Sequence, residues 1–130
     1  MIRLGYTVCY VDDVAAVLTR FEAAFGLTRQ LLTEDGNFAE LDTGETTLCF
    51  AEREFGRAHF KSEAGRAVFD GAPRRFELSF VTDDVDGVWA SALAAGMTEA
   101  APLEKRSWGQ RIGFLLDPEG ILIEVASETF

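Results

Sequence analysis

The stretch SWGQRIGFLLDPEGILIEVASETF, Ser107 to Phe130, reads as strand, tight turn, strand. Ile112 to Leu116 is apolar, Asp117-Pro118-Glu119-Gly120 carries turn chemistry, and Ile121 to Val125 is β-branched and apolar. Pro118 presets φ at the second position of a turn, and Gly120 supplies conformations that other residues avoid. Glu124 stands in the middle of the second strand, among isoleucines and a valine. A carboxylate there marks either an edge strand or the rim or floor of a site.

Working back from the hairpin, Phe76 to Thr82 reads as a strand, and Asp83-Asp84 opens a helix. Its apolar stripe is Val85, Val88, Trp89, Ala92 and Leu93, which assigns Trp89 to the core. Gly96 closes the helix, Met97 to Pro102 is extended, and Lys105-Arg106 lies in a loop. The first part of the chain has the same grammar. Leu4 to Val11 is a strand, and Asp12-Asp13 opens a helix with the stripe Val14, Val17, Leu18, Phe21 and Phe25. Gly26 ends it. Thr28 to Thr33, Phe38 to Leu41 and Thr46 to Ala51 follow as strands, separated by turns at Glu34-Asp35-Gly36-Asn37 and Asp42-Thr43-Gly44-Glu45.

Overlaying the halves shows a duplication. Asp12-Asp13-Val14 matches Asp83-Asp84-Val85, 71 positions on; Gly26-Leu27-Thr28 matches Gly96-Met97-Thr98, 70 on; Leu41-Asp42 matches Leu116-Asp117, 75 on. The chain is a tandem repeat of one β-α-β-β-β unit, residues 1–51 and 76–130, within a single domain. Residues 52–75 break the pattern and read as a linker, with a short helical turn around Ser62 to Phe69. The linker holds Phe55, Phe60, Phe69 and the single histidine, His59. Three phenylalanines in a polar segment predict that it docks, against its own domain, a second subunit or a ligand.

The strand-Asp-Asp-Val-helix-Gly pattern of each half and the closing DPEGILIEV resemble the vicinal oxygen chelate superfamily, the glyoxalase, bleomycin-resistance and ring-cleaving dioxygenase group. The resemblance covers essentially the whole chain. It implies an α+β fold in which two units form an eight-stranded, incompletely closed barrel around a cup, with helices outside. It also implies a homodimer and a small-molecule ligand or substrate. In the metalloenzymes of that group the first and last strand of each unit each give a ligand to a divalent metal. By register those positions here are Tyr6 and Cys49 in the first unit and Glu77 and Glu124 in the second. Two carboxylates remain, two positions are Tyr and Cys, and none is histidine. A metal such as Zn, Mn, Ni or Fe, if held, would use Glu77, Glu124 and Cys49. The incomplete set leads instead to an expectation of no cofactor.

Strand alternation turns Glu77, Ser79 and Val81 one way and Phe76, Leu78 and Phe80 towards the helix. A carboxylate in an apolar cup needs a cation, a shared proton or an arginine; Arg111 and Arg75 are the internal candidates. Trp108-Gly109-Gln110 resembles the Trp-Gly segment of bleomycin-resistance-type members, metal-free proteins that sequester a flat cationic antibiotic. An indole beside a glycine is a stacking surface, or a loop anchor. The ligand-binding candidates are therefore Tyr6, Cys49, Phe60, Glu77, Trp108 and Glu124.

Composition sets the outer bounds. The chain has 130 residues, 48% hydrophobic and 26% charged, with net charge −10. That balance suits one soluble domain. It argues against nucleic acid, whose phosphates need a basic face, and draws cationic ligands by long-range attraction. No apolar run approaches membrane-spanning length and Met1 to Leu4 has no signal-peptide layout, so a cytoplasmic protein is expected. Cys9 and Cys49 fall in strand-like segments as small, buried, reduced residues. Two functions follow: sequestration of a cationic or aromatic compound without metal, or a lyase, isomerase or dioxygenase using Glu77 and Glu124. A cup filled by its own side chains is the third outcome.

Overall fold

Asp13 opens the first helix as the spacing predicts. Its backbone is extended, and its side chain accepts from the Ala16 N–H at 3.1 Å. In the computed structural model, which describes residues 1–73 and 75–128, the elements run β1 (Tyr6–Val11), α1 (Val14–Phe25), β2 (Thr28–Leu32), β3 (Phe38–Asp42), β4 (Thr47–Glu52), α2 (Arg53–Arg57), α3 (Glu63–Arg66), a 3-10 turn (Ala67–Phe69), β5 (Leu78–Thr82), α4 (Val85–Ala94), β6 (Thr98–Lys105), β7 (Arg111–Leu116) and β8 (Leu122–Ser127). Two compact units result, Met1–Glu22 with Gly26–Gly71 and Ala23–Phe25 with Ala72–Phe130.

In the first unit the strand order is β1-β4-β3-β2, with β1 parallel to β4 and the other pairs antiparallel. One face of this sheet carries Cys9, Val11, Ala39, Leu41, Leu48 and Phe50, all buried. The stripe of α1 supplies the matching layer, with Val17, Leu18 and Phe21 fully buried and Phe21 edge-on to Phe50 at 4.8 Å. Each such large side chain removed from water contributes about 1.5–3 kcal/mol. Gly26 then stops the helix at φ 65°, its N–H donating to the Glu22 carbonyl at 2.9 Å.

The second unit repeats the plan: order β5-β8-β7-β6, β5 parallel to β8, the rest antiparallel. Asp84 caps α4 by accepting from the Gly87 N–H. Ile123 and Val125 are fully buried on the face that also holds Gly113, against which Trp89 of α4 packs. Leu93, expected on the buried stripe, is 40% exposed; its angular position places it at the margin of the α4 face centred on Val85 and Ala92.

The expected turn between β7 and β8 forms at Asp117 to Gly120. The Gly120 N–H donates to the Asp117 carbonyl at 2.7 Å, and the Glu119 N–H to the Asp117 side chain at 2.9 Å. Gly120 has φ 85°, and a Cβ there would lie 2.7 Å from the Cβ of Ala72. Replacing Gly120 by Ala therefore meets both a left-handed backbone and a collision. The expected cost is about 1–2 kcal/mol, read as a lower urea midpoint with an unchanged m-value; an unchanged midpoint contradicts the turn geometry.

Two expectations need correction. The strand expected to begin at Phe76 begins at Leu78, so Glu77 stands just ahead of β5. The segment expected to be a linker from 52 to 75 contains α2 as well as the foreseen turn at Ser62 to Phe69, and its part up to Gly71 belongs to the first unit. It docks there: Phe69 is 9% exposed and meets Tyr10 edge-on at 4.7 Å, while Arg53 pairs with Asp12 at 2.9 Å and donates to the Phe69 carbonyl at 3.1 Å. The eight expected strands are present, as two four-stranded sheets, one in each unit.

Candidate functional site

In the second unit the parallel register puts Ser79 of β5 opposite Glu124 of β8. Their side chains point to the same face, away from α4, and the Ser79 hydroxyl donates to Glu124 Oε1 at 2.6 Å. Such a short O–H···O⁻ bond is the strong, charge-assisted kind. Glu77 lies two residues before Ser79, just ahead of β5. Its pKa is raised above the ordinary Glu value, first by lost hydration and then by the negative charge of Glu124. Phe114, opposite Glu124 on β7, adds an aromatic wall to the same face.

The arginine expected to neutralise these acids is engaged elsewhere. Arg111 grips Asp86, in the first turn of α4, through two hydrogen bonds of 3.0 Å, which also lowers the Asp86 pKa. Arg75 is exposed, with φ 63°, and makes no ion pair among the described residues. Within the described residues, then, Glu77 and Glu124 face no side-chain counter-charge.

Trp108 lies in the β6–β7 loop and is 60% exposed. Its indole N–H donates to Gln110 Oε1 at 2.9 Å, and Gln110 Nε2 donates to the Ser127 carbonyl at 2.8 Å. The ring is thus tied by its indole N–H, through Gln110, to the end of β8, and most of it stays exposed. Gln110 supplies this anchoring. The sequence contained the residue but not the register that brings it to Ser127.

The first unit places Tyr6 and Cys49 on one face as well, away from α1. Val8 pairs with Cys49, two residues after Tyr6, as Ser79 pairs with Glu124, two after Glu77. The equivalence read from the repeat is therefore present in the strand registers. The chemistry differs. Tyr6 is 60% exposed and Cys49 fully buried. Burial, then the charge of Glu40, pushes the Cys49 thiol up to about 11. Phe60 stands apart from these residues on the docked segment, tilted against Phe69 at 5.7 Å and 43% exposed. An open groove of about 640 Å³ in this unit is lined by Thr33, Glu34, Asp35, Asn37, Phe38 and Phe55, none of them a predicted site residue.

This donor set is a poor match to a divalent metal. One unit offers two carboxylates, one already holding a serine hydroxyl; the other offers a phenol and a thiol that resists ionisation, although metal binding requires the thiolate. Among the described residues no group of three or more His, Cys, Asp or Glu is placed to hold an ion.

No curated protein matches this sequence. Solved structures do. A glyoxalase/bleomycin resistance protein/dioxygenase family enzyme from Burkholderia phytofirmans PsJN superposes with TM-score 0.82 at 21% identity, covering 97% of this chain and 98% of that one. TioX from Micromonospora sp. ML1 gives TM-score 0.67 at 22% identity, with coverages of 97% and 98%. A lactoylglutathione lyase from Agrobacterium tumefaciens gives 0.70 at 21%, with 98% and 94%. At these identities the likeness is one of fold. The model of the Glyoxalase/Bleomycin resistance protein/Dioxygenase superfamily matches residues 3–125. With two β-α-β-β-β units in register and a sequence match over nearly its whole length, the chain belongs to that superfamily.

Proposed function

We propose that the protein binds a small organic cation with an aromatic body, and does so without metal. The observation that carries this reading is the pair Glu77 and Glu124, which meet no cationic side chain among the described residues, with Glu124 fixed by Ser79. Two like charges brought together at partial loss of hydration are costly; a ligand cation relieves both terms. Phe114 on the same face and the exposed ring of Trp108 supply apolar and stacking surface. The net charge of −10 favours the approach of such a ligand. The reading includes a homodimer in the cytoplasm. No helix of the described residues is long and apolar enough to cross a membrane.

The test is a thermal-shift and tryptophan-fluorescence titration with cationic aromatic compounds. A binder present at about 100 times its Kd stabilises the fold by about 2.7 kcal/mol. Glu124→Gln keeps the shape but removes the charge that Ser79 orients, and is expected to weaken binding about 10- to 100-fold. Cationic compounds that neither quench fluorescence nor raise the melting temperature contradict the proposal.

One observation favours a second reading. A carboxyl with a raised pKa near a second carboxyl that accepts from a serine hydroxyl resembles the arrangement of a general acid–base pair, which supports a lyase or isomerase with Glu77 as proton carrier. Under that reading Glu77→Gln abolishes turnover and leaves ligand affinity nearly intact; under the binding reading it lowers affinity.

A further inference from the structure

The last strand of the first unit carries Cys49 where that of the second carries Glu124, and a carboxylate stands one strand over. On the face turned away from α1, the strand registers line up three rows. Phe38, Ala51 and Tyr10 form one, and the docked segment covers it, since Phe69 meets Tyr10 edge-on and Gly56 lies against both rings. Leu31, Glu40, Cys49 and Val8 form the next. Tyr6 and Thr47 lie in the third.

Glu40 is thus the one charged residue of the middle row. Its carboxylate is half-buried and makes no hydrogen bond or ion pair among the described residues. Its cross-strand neighbours are Leu31, 41% exposed, and the buried thiol of Cys49. Val8 and Tyr6, 38% and 60% exposed, continue the surface. A half-buried carboxylate between an aliphatic side chain and a neutral thiol has cross-strand neighbours that cannot balance its charge. The complement of that surface is an organic cation: a positive nitrogen for Glu40, carried on an apolar or aromatic body for Leu31, Val8 and the Tyr6 ring.

We infer that Glu40 is a specificity-determining residue of the first unit, selecting a positively charged organic ligand over its uncharged analogue. This rests on the cation-binding function proposed above but concerns a different unit and residue. In the duplicated pattern the acid of the second unit stands on β8, opposite β5. In the first unit an acid stands one strand over, on β3, with Cys49 between it and β1. The charge of Glu40 is felt at Cys49, whose thiol it helps to keep protonated.

The experiment compares ethidium, a permanently cationic phenanthridinium, with phenanthridine, which is uncharged at pH 8. Both are titrated against the intact protein, Glu40→Gln and Glu124→Gln. The expected result is a roughly tenfold weaker Kd for ethidium in Glu40→Gln, the size of one ion pair. Phenanthridine affinity and melting temperature should stay unchanged. If Glu124→Gln weakens ethidium and Glu40→Gln does not, the inference is overturned while the function proposed above stands. Equal loss for ethidium and phenanthridine in Glu40→Gln also overturns it, since the residue would then be shaping the face and not reading charge. Ethidium that fails to bind the wild-type protein overturns both.

Discussion

Gly113→Ala is expected to destabilise the protein by about 2–3 kcal/mol, the upper part of the range for forcing a methyl into a filled interior. Gly113 lies in β7 on the face that α4 covers. An added Cβ would sit 2.6 Å from the Trp89 ring and 3.0 Å from the Leu103 backbone nitrogen. Neither neighbour yields cheaply. The indole packs on the sheet at Gly113, and Leu103 belongs to β6, flanked by Ala101 and Glu104, which pair with β7. For a chain of this size the cost corresponds to a melting temperature roughly 6–12 °C lower. A double-mutant cycle assigns the cause. In a Trp89→Leu background the smaller side chain frees the space, so Gly113→Ala should then cost less than about 1 kcal/mol. A single mutant that melts with the wild type, or equal costs in both backgrounds, would show that Trp89 does not occupy the place described.

Trp89 also shows what kind of information the sequence held. Its place on the helical stripe assigned it to the core, and it packs on the sheet. That the space above Gly113 is what it fills is visible only once β7 is paired and its face known. The same distinction runs through the molecule. Helix caps at Asp13 and Asp84, the stop at Gly26 and the Asp117–Gly120 turn are local chemistry, and each forms where the residues place it. The equivalence of Tyr6 with Glu77 and of Cys49 with Glu124 is a matter of counting along a repeat, and the strand registers agree. Contacts that cross between strands were not legible. Alternation gave the face of Ser79, but not that it stands opposite Glu124. Arg111 was an equally good partner for Glu77 or for Asp86 until α4 and β7 were in place; the pair with Asp86 forms because the first turn of α4 brings that carboxylate to the start of β7. Helix α2 was hidden by Gly56, a poor helix former. Its reason for being there is tertiary, since a side chain at that position would run into Phe69 and Tyr10.

Cys49 provides the sharpest chemical test of the first unit. It occupies a position where a metal ligand or nucleophile would need a thiolate, yet burial and Glu40 raise its pKa to about 11 from an ordinary value near 9.0. A rise of that size leaves roughly a hundredfold less thiolate at pH 8, before any barrier to reagent entry is counted. Cys9 is buried as well, on the opposite face. The native protein is therefore expected to show no fast-reacting thiol towards 5,5′-dithiobis(2-nitrobenzoate) at pH 8, and two per chain once guanidinium has unfolded it. The sign of the pH effect on stability follows from the same raised pKa. The folded state holds the thiol proton more tightly than the unfolded state. Its contribution is therefore fully present below about pH 9 and is lost as pH rises towards 11. Cys49→Ala should be less stable than wild type at pH 7, and the difference should shrink through that alkaline window. Rapid modification of one thiol in the native state, or a stability difference that stays constant to pH 11, would mean that Cys49 is ionised or open to solvent. The first unit would then hold a reactive sulfur beside Glu40, and the case for metal or covalent chemistry at this position would reopen. An inert thiol leaves Glu40 as the one charged group of that row.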